Sequence, residues 1–389
     1  MRFVKHLMAA AVLAVTSFAA TAQEPIKIGV VTPLSGTYAG IGQQVRWGLE
    51  LAANEINAAG GIKGRKLELI FEDEEANPSV AVQKAEKLIQ VNKVHFITGT
   101  VNSGSTLAVG QLAERSNILI ATTVSFADSI TGARCSPNVF RVNARAGQQS
   151  AALAAWLAKE KPKATVYFLG PDYEMGRSTV AAFKANVLRV GGNAVGEVFA
   201  PLDTKDYTQY FGQLRAARAQ VLYTSVAGND TVRLFTQLAE FGLLKNLTVL
   251  GASGTVSAQN ISAIGAAAEG FVTGVGYSAE IKTPENQKFV TAFRAAYKSD
   301  PDLYGADSYG LLFAYKAAFE KAGSTDIDKM RDALRGLKWS TPQGEKTIRA
   351  GDHQAVQKMY VVKVTKGKFV IANEVAGEDA IGEDECKRF

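Results

Sequence analysis

The sequence predicts an α/β protein built as two doubly wound, parallel-sheet lobes, and three observations carry that reading. Short β-branched runs alternate with longer segments of helical period, the order of a parallel sheet covered by helices. The alternation runs to Ala121 and starts again at Thr165. The chain of 389 residues is longer than one hydrophobic core usually serves, so two domains are expected.

At the N-terminus, Arg2 and Lys5 precede an apolar run from Leu7 to Ala20 that ends in Ala20-Thr21-Ala22, the small-x-small pattern cut by a signal peptidase. Residues 1–22 therefore read as a signal peptide, with the mature chain starting at Gln23. The run is shorter than the ~20 residues a helix needs to span a bilayer, so export to the periplasm is expected and membrane insertion is not. The strand runs of the first half are Lys27–Thr32, Lys66–Phe71, Val94–Thr98 and Ile118–Ala121. Between the first two, Val45, Leu49, Ala52, Ala53 and Ile56 share one face at helical spacing, and Gly60-Gly61 stops the helix. The second half repeats the cadence with Thr165–Leu169, Ala194–Phe199, Gln220–Thr224 and Thr248–Leu250. Right-handed connections make a doubly wound sheet of each set. No segment has the composition of a flexible linker, so several short crossings should join the halves.

The chain carries 43 Lys and Arg against 37 Asp and Glu; without Arg2 and Lys5 the balance is 41 against 37, a net charge of about +4. A surplus this small and unclustered predicts no nucleic-acid partner. Cys135 and Cys386 both survive cleavage. In an oxidising compartment an even count points to a disulfide, with two separate thiols as the alternative, and their spacing suits no metal site. After cleavage only His95 and His353 remain, and no Ser-His-Asp, Cys-His or metal-spaced cluster can be assembled. Neither catalysis nor a cofactor is expected. Glu72-Asp73-Glu74-Glu75 reads as a solvated loop, and Trp47, Trp156 and Trp339 as packing residues.

Specific strings add a resemblance over nearly the whole mature chain. Lys27-Ile28-Gly29-Val30-Val31-Thr32-Pro33-Leu34-Ser35-Gly36 and Ala53-Asn54-Glu55-Ile56-Asn57-Ala58-Ala59-Gly60-Gly61-Ile62-Lys63-Gly64 are similar to the opening of the leucine/isoleucine/valine-binding family of periplasmic receptors. Gly99 to Thr106, Pro171 to Gly176, Thr341 to Gly344 and Asp352 to Gln354 match as well. The resemblance implies a type I periplasmic binding protein fold with three hinge crossings, near Asn143, Tyr277 and Lys358. Lobe 1 would hold residues 23–143 and 278–357, lobe 2 residues 144–277 and 358–376, and the tail 377–389 would tie back to lobe 1. It also implies a monomer that closes on a small ligand and meets the permease subunits of an ABC importer; the same fold can serve instead as a sensor feeding a signalling partner.

In an open α/β sheet the ligand lies beyond the carboxyl ends of the strands, where loops enter helices. The strand ending at Gly99 leads into Asn102-Ser103-Gly104-Ser105, where backbone N–H groups, a helix dipole and the Ser103 hydroxyl would make a carboxylate site without an Arg. The plainer alternative is that Ser103 or Ser105 is an N-cap. The next loop carries Val124, Ser125 and Phe126, and Phe126 reads equally as cavity wall or core. Relative to the family's amino-acid binders, Ile41 stands where a Tyr is usual, with Tyr38 nearby. In the second lobe Ser253 replaces the family's ammonium-binding Glu, and the loop with Ala227 and Gly228 lacks the accompanying aromatic residue. A buried ammonium needs an acidic partner, which Asp172 or Asp230 would have to supply. With Tyr173 as a further contact, the expected ligand is an aromatic or otherwise hydrophobic carboxylate, with a branched-chain or other amino acid as the alternative.

Overall fold

The computed structural model describes residues 23–389; the signal peptide read over residues 1–22 lies outside them. The first sheet has the order β2-β1-β3-β4-β5, all parallel, from β1 (Ile26–Thr32), β2 (Leu67–Asp73), β3 (Phe96–Thr98), β4 (Leu119–Thr122) and β5 (Val139–Arg141). Helices α1 (Ala39–Ala58), α2 (Pro78–Gln90) and α3 (Ser103–Arg115) connect the first four strands. Successive side chains of a strand point to opposite faces. Ile28, Val30, Phe96 and Leu119 accordingly pack with Val45, Leu49 and Ile56 of α1, while Val31, Ile97 and Ile120 pack with Leu88 of α2 and Leu112 of α3. A sheet buried on both faces needs apolar residues at every position, which is why these runs read as continuous and not alternating.

The second lobe follows from α4 (Ala146–Glu160): β6 (Thr165–Pro171), α5 (Glu174–Arg189), β7 (Asn193–Ala200), α6 (Thr208–Ala216), β8 (Val221–Thr224), α7 (Asn229–Glu240), β9 (Thr248–Gly251), α8 (Ile261–Ile264) and β10 (Val272–Val275). The chain then returns to the first lobe as α9 (Pro284–Tyr297), α10 (Leu303–Ala322) and α11 (Ile327–Leu334), where Leu311, Leu312 and Tyr315 of α10 join the α1 core. A three-stranded antiparallel sheet, β11 (Lys338–Thr341), β12 (Gly344–Ile348) and β13 (Ala355–Val356), leads back to β14 (Met359–Thr365), β15 (Lys368–Val375) and α12 (Gly377–Ile381). The chain thus passes between the two large sheets at residues 142–145, 276–283 and 357–358.

The second sheet has the order β15-β14-β10-β9-β8-β6-β7. It is parallel from β7 to β10, and β14 and β15 then add an antiparallel edge. That edge is absent from the strand cadence read in the sequence. β15 alternates exposed and half-buried positions as an edge strand does, and so lacks the all-apolar run by which a doubly covered strand is recognised.

Cys135 and Cys386 form a disulfide with Cα atoms 5.7 Å apart. The tail it holds touches both lobes: Ala380 packs with Leu153 and Leu157 of α4, while Arg388 pairs with Glu114 of α3 at 2.8 Å. Arg145, beside the first crossing, donates to the Ile381 carbonyl at 2.8 Å. The disulfide and the Arg388–Glu114 pair tie the tail to the first lobe, and Ala380 adds a contact to α4 of the second.

Candidate functional site

The loops after the strands of both sheets meet in a cleft. Seven of the eleven residues expected at the ligand line one cavity there: Tyr38, Ile41, Val124 and Phe126 from the first lobe, and Tyr173, Ala227 and Ser253 from the second. Four further residues complete it, Val101, Met175, Ser225 and Tyr304. Three of these lie beside or within the loops singled out in the sequence. Tyr304 stands in the first turn of α10, far from any motif, and nothing in the sequence marks it.

The walls meet closely, and the free space between them is about 10 Å³, on the order of what one water needs by the same measure. Tyr38 and Tyr173 share a hydrogen bond of 2.9 Å across the lobes. Burial holds both phenols above the usual range and hence neutral. The rings of Phe126 and Tyr304 stack with centroids 6.2 Å apart, within the range of offset aromatic pairs. Phe126 is therefore both cavity wall and part of the core. Two glycines let the lobes approach. Gly228 has φ of +63° and a Cβ there would lie 2.4 Å from the Thr37 carbonyl oxygen; Gly254 has φ of +83° and a Cβ there would lie 1.8 Å from the Tyr304 hydroxyl.

The polar atoms of the two walls differ. On the first lobe those of Asn102, Ser103 and Ser125 are committed within the protein, while the Ser105 hydroxyl and Glu74 Oε2, behind the cavity, are buried without a partner. Asn102, not Ser103 or Ser105, is the N-cap of α3, and its Oδ1 accepts from the Gly104 and Ser105 amides at 2.8 and 3.4 Å. The Ser103 hydroxyl accepts from the Ala127 amide at 3.3 Å. The Ser125 hydroxyl lies 3.0 and 3.1 Å from the Thr100 and Val101 carbonyls. Asn102, Ser103, Ser125 and Gly228 do not line the cavity.

Glu74, expected in a solvated loop, is fully buried, and its Oε1 accepts from the Val101 and Asn102 amides at 2.7 and 3.3 Å. Four of the five amides from Val101 to Ser105 are thus already occupied, so the expected cluster of free N–H groups at this turn is not present. Burial pushes the Glu74 carboxyl up to about 7. A lone acid in a charged run gives no sequence signal that it turns inward.

The loop that carries Phe126 is clamped from behind. Arg141, fully buried, donates to the Ser125 and Ala127 carbonyls at 3.2 and 2.7 Å and to Gln354 at 2.5 Å; Asn143 donates to the same Ser125 carbonyl at 3.2 Å. On the second lobe, by contrast, the Ser225 and Ser253 hydroxyls are buried without a hydrogen-bond partner. No charged side chain lines the cavity. Asp172 is exposed and paired with Arg177 at 2.5 Å, and Asp230 is buried against Arg233 and the Asp203 amide. Neither supplies an acid to the cavity.

The sequence profile described as periplasmic binding protein matches residues 25–368. The chain belongs to the periplasmic binding protein family. This is a family of solute-binding proteins and not of catalysts. Among its relatives is the Leu/Ile/Val-binding protein homolog 3 of Brucella melitensis, 30% identical over 323 residues, which cover 83% of this chain and 86% of that protein. Two solved structures of ABC-transporter solute-binding proteins from Rhodopseudomonas palustris are similar throughout. The one in complex with 3,4-dihydroxybenzoic acid superposes with a TM-score of 0.84 at 26% identity, covering 93% of this chain and 98% of that one. The one in complex with benzoate gives 0.85 at 26% identity, covering 93% and 99%. No helix among the described residues of this binding protein is long and apolar enough to cross a membrane.

Proposed function

We propose that this protein is the solute-binding component of an ABC importer, working in the periplasm, and that it traps an aromatic or hydrophobic carboxylate between its lobes. The observation that carries the reading is the lining of the cavity: four aromatic rings, apolar side chains, five hydroxyls and no charge. A zwitterionic amino acid would bury its ammonium with no acid to meet it, which is strongly unfavourable. A carboxylate only accepts hydrogen bonds, and hydroxyls can donate them. The unpartnered Ser225 and Ser253 are the natural donors. The two aromatic-acid complexes among the similar structures favour the same class.

The ring would lie against Phe126 and Tyr304. Because the walls meet, it enters as the lobes part, and the Tyr38–Tyr173 hydrogen bond is exchanged for ligand contacts. Both lobes touch the ligand only when closed, so differential affinity drives the closure and gives a permease one form to recognise.

A thermal-shift screen tests the reading. Benzoate, 4-hydroxybenzoate and phenylpyruvate should raise the melting temperature more than leucine, isoleucine or valine. A ligand at a hundredfold excess over Kd adds about 2.7 kcal/mol to stability. Strong shifts from leucine with none from the aromatic acids would overturn it.

A further inference from the structure

The central cavity is not the largest space between the lobes. A second one, of about 310 Å³, lies where the chain crosses at Tyr277, and it shares no lining residue with the first. Its apolar walls come from Val256 and Ile261 before and within α8 and from Val362 and Phe369 of the antiparallel edge; the opposite side is Asp302 and Leu303 at the start of α10. Two residues that line it, Tyr277 and Asp302, only 3% and 6% exposed, each carry a buried polar atom without a partner, the Tyr277 hydroxyl and Asp302 Oδ2. Asp302 caps α10 through its other oxygen, which accepts from the Tyr304 and Gly305 amides at 2.9 and 3.2 Å.

Leaving a buried acceptor unmade is costly, more so for a carboxylate. Burial pushes the Asp302 carboxyl up to about 7, and a cation beside it would restore the charged form. The rim carries two charges of each sign, Arg294 with its 2.5 Å partner Asp300, and Glu280 and Lys368, which do not pair with each other, so Asp302 sets the sign inside. We infer that this seam cavity is a second ligand site, for a small apolar amine whose ammonium donates to Asp302 Oδ2 and the Tyr277 hydroxyl while its hydrocarbon body fills the space against Ile261 and Phe369. The inference does not depend on the identity of the ligand in the central cavity. Its chemistry is the opposite, an acid awaiting a cation where the other site offers hydroxyls to an anion. An occupant would contact both lobes and favour the closed arrangement.

Isoamylamine, an apolar body with one ammonium, is the probe, titrated calorimetrically into the full mature protein. It should bind, and Asp302→Asn should weaken it about tenfold or more, since a hydrogen bond to a charged group is lost. Asn still caps a helix, so the variant is expected to fold. Tyr277→Phe keeps the ring and removes only the hydroxyl, and should weaken binding by about fivefold. Benzoate at saturation should leave the amine affinity unreduced. No binding of isoamylamine, or binding that ignores both substitutions, overturns the proposal. So does binding that falls in Ser253→Ala but not in Asp302→Asn, which would put the amine in the central cavity.

Discussion

The two walls of the central cleft are built on different terms. The wall from the first lobe is held by a dense network: Arg141, Asn143 and Gln354 clamp the Phe126 loop, Asn102 and Glu74 occupy the amides at the start of α3, and Ser103 and Ser125 bond within the protein; the unpartnered atoms here, Ser105 Oγ among them, belong to residues that do not line the cavity. The wall from the second lobe ends in two hydroxyls, Ser225 and Ser253, with nothing to bond. A satisfied polar network rigidifies the surface it supports, whereas an unsatisfied buried group is a standing cost that a ligand can remove. Under the proposed function, the first lobe supplies a fixed apolar seat and the second decides which polar end the ligand must carry.

The largest expected effect breaks the fixed seat. Arg141→Met leaves the Ala127 carbonyl without its buried donor and takes one of two donors from the Ser125 carbonyl and from Gln354, at roughly 3–5 kcal/mol in total. Urea unfolding measures it, and aromatic-acid binding should fall in parallel because Phe126 loses its support. A variant as stable as the wild type would show that the wall is held by other contacts.

Next in size is the disulfide that holds the tail. Reduction of Cys135–Cys386 should lower stability by about 2–4 kcal/mol, seen as a lower melting temperature with reductant. The hydroxyls of the second lobe lie elsewhere, so affinity at a temperature where the protein stays folded should hold. A reductant-dependent loss of affinity would mean that the tail also sets the closure of the cleft.

The second wall is tested by Ser253→Ala and Ser225→Ala. Each removes a hydroxyl that stabilises nothing in the free protein, so unfolding should be unchanged or slightly harder. Affinity for the aromatic acid should drop by about 1.5–3 kcal/mol for whichever serine holds the carboxylate. If instead Ser103→Ala has the larger effect on affinity, the carboxylate lies on the first lobe and the comparison is reversed.

Glu74 offers the smallest effect, read per pH unit. Burial pushes its carboxyl from 4.5 up to about 7, so between those values the folded chain holds a proton that the unfolded chain has released. The stability linked to this group is complete below the lower value and is lost as pH rises through the upper one, at up to ~1.4 kcal/mol per unit. Asp302 acts in the same direction and His353, lowered to about 3, in the opposite one. The wild type minus Glu74→Gln difference isolates the single group, since Gln still accepts from the Val101 and Asn102 amides. The expected difference falls between pH 4.5 and 7; a flat one would show that Glu74 is ionised throughout.

Much of this protein follows from its sequence. The all-apolar strand runs at Ile28–Val31 and Val166–Leu169 require sheets covered on both faces, and the spacing of Val45, Leu49 and Ile56 requires the helix that covers one of them. Strand polarity places the loops of both sheets at one rim, and the family resemblance picks out seven cavity residues on or beside them. That Ser253 stands where the family's amino-acid binders carry an acid is legible only against that resemblance. Only the tertiary structure decided the rest. Tyr304 faces Phe126 because α10 returns to the first lobe, 178 positions further along the chain, and no periodicity reports that return. Glu74 turns inward because the amides of a different loop need an acceptor, and Asp302 keeps one oxygen free because the walls around it come from three separate stretches of chain. Local pattern fixes which face a residue takes; which partner it meets there depends on contacts between distant segments, and hydrogen-bond satisfaction is counted only after those are made.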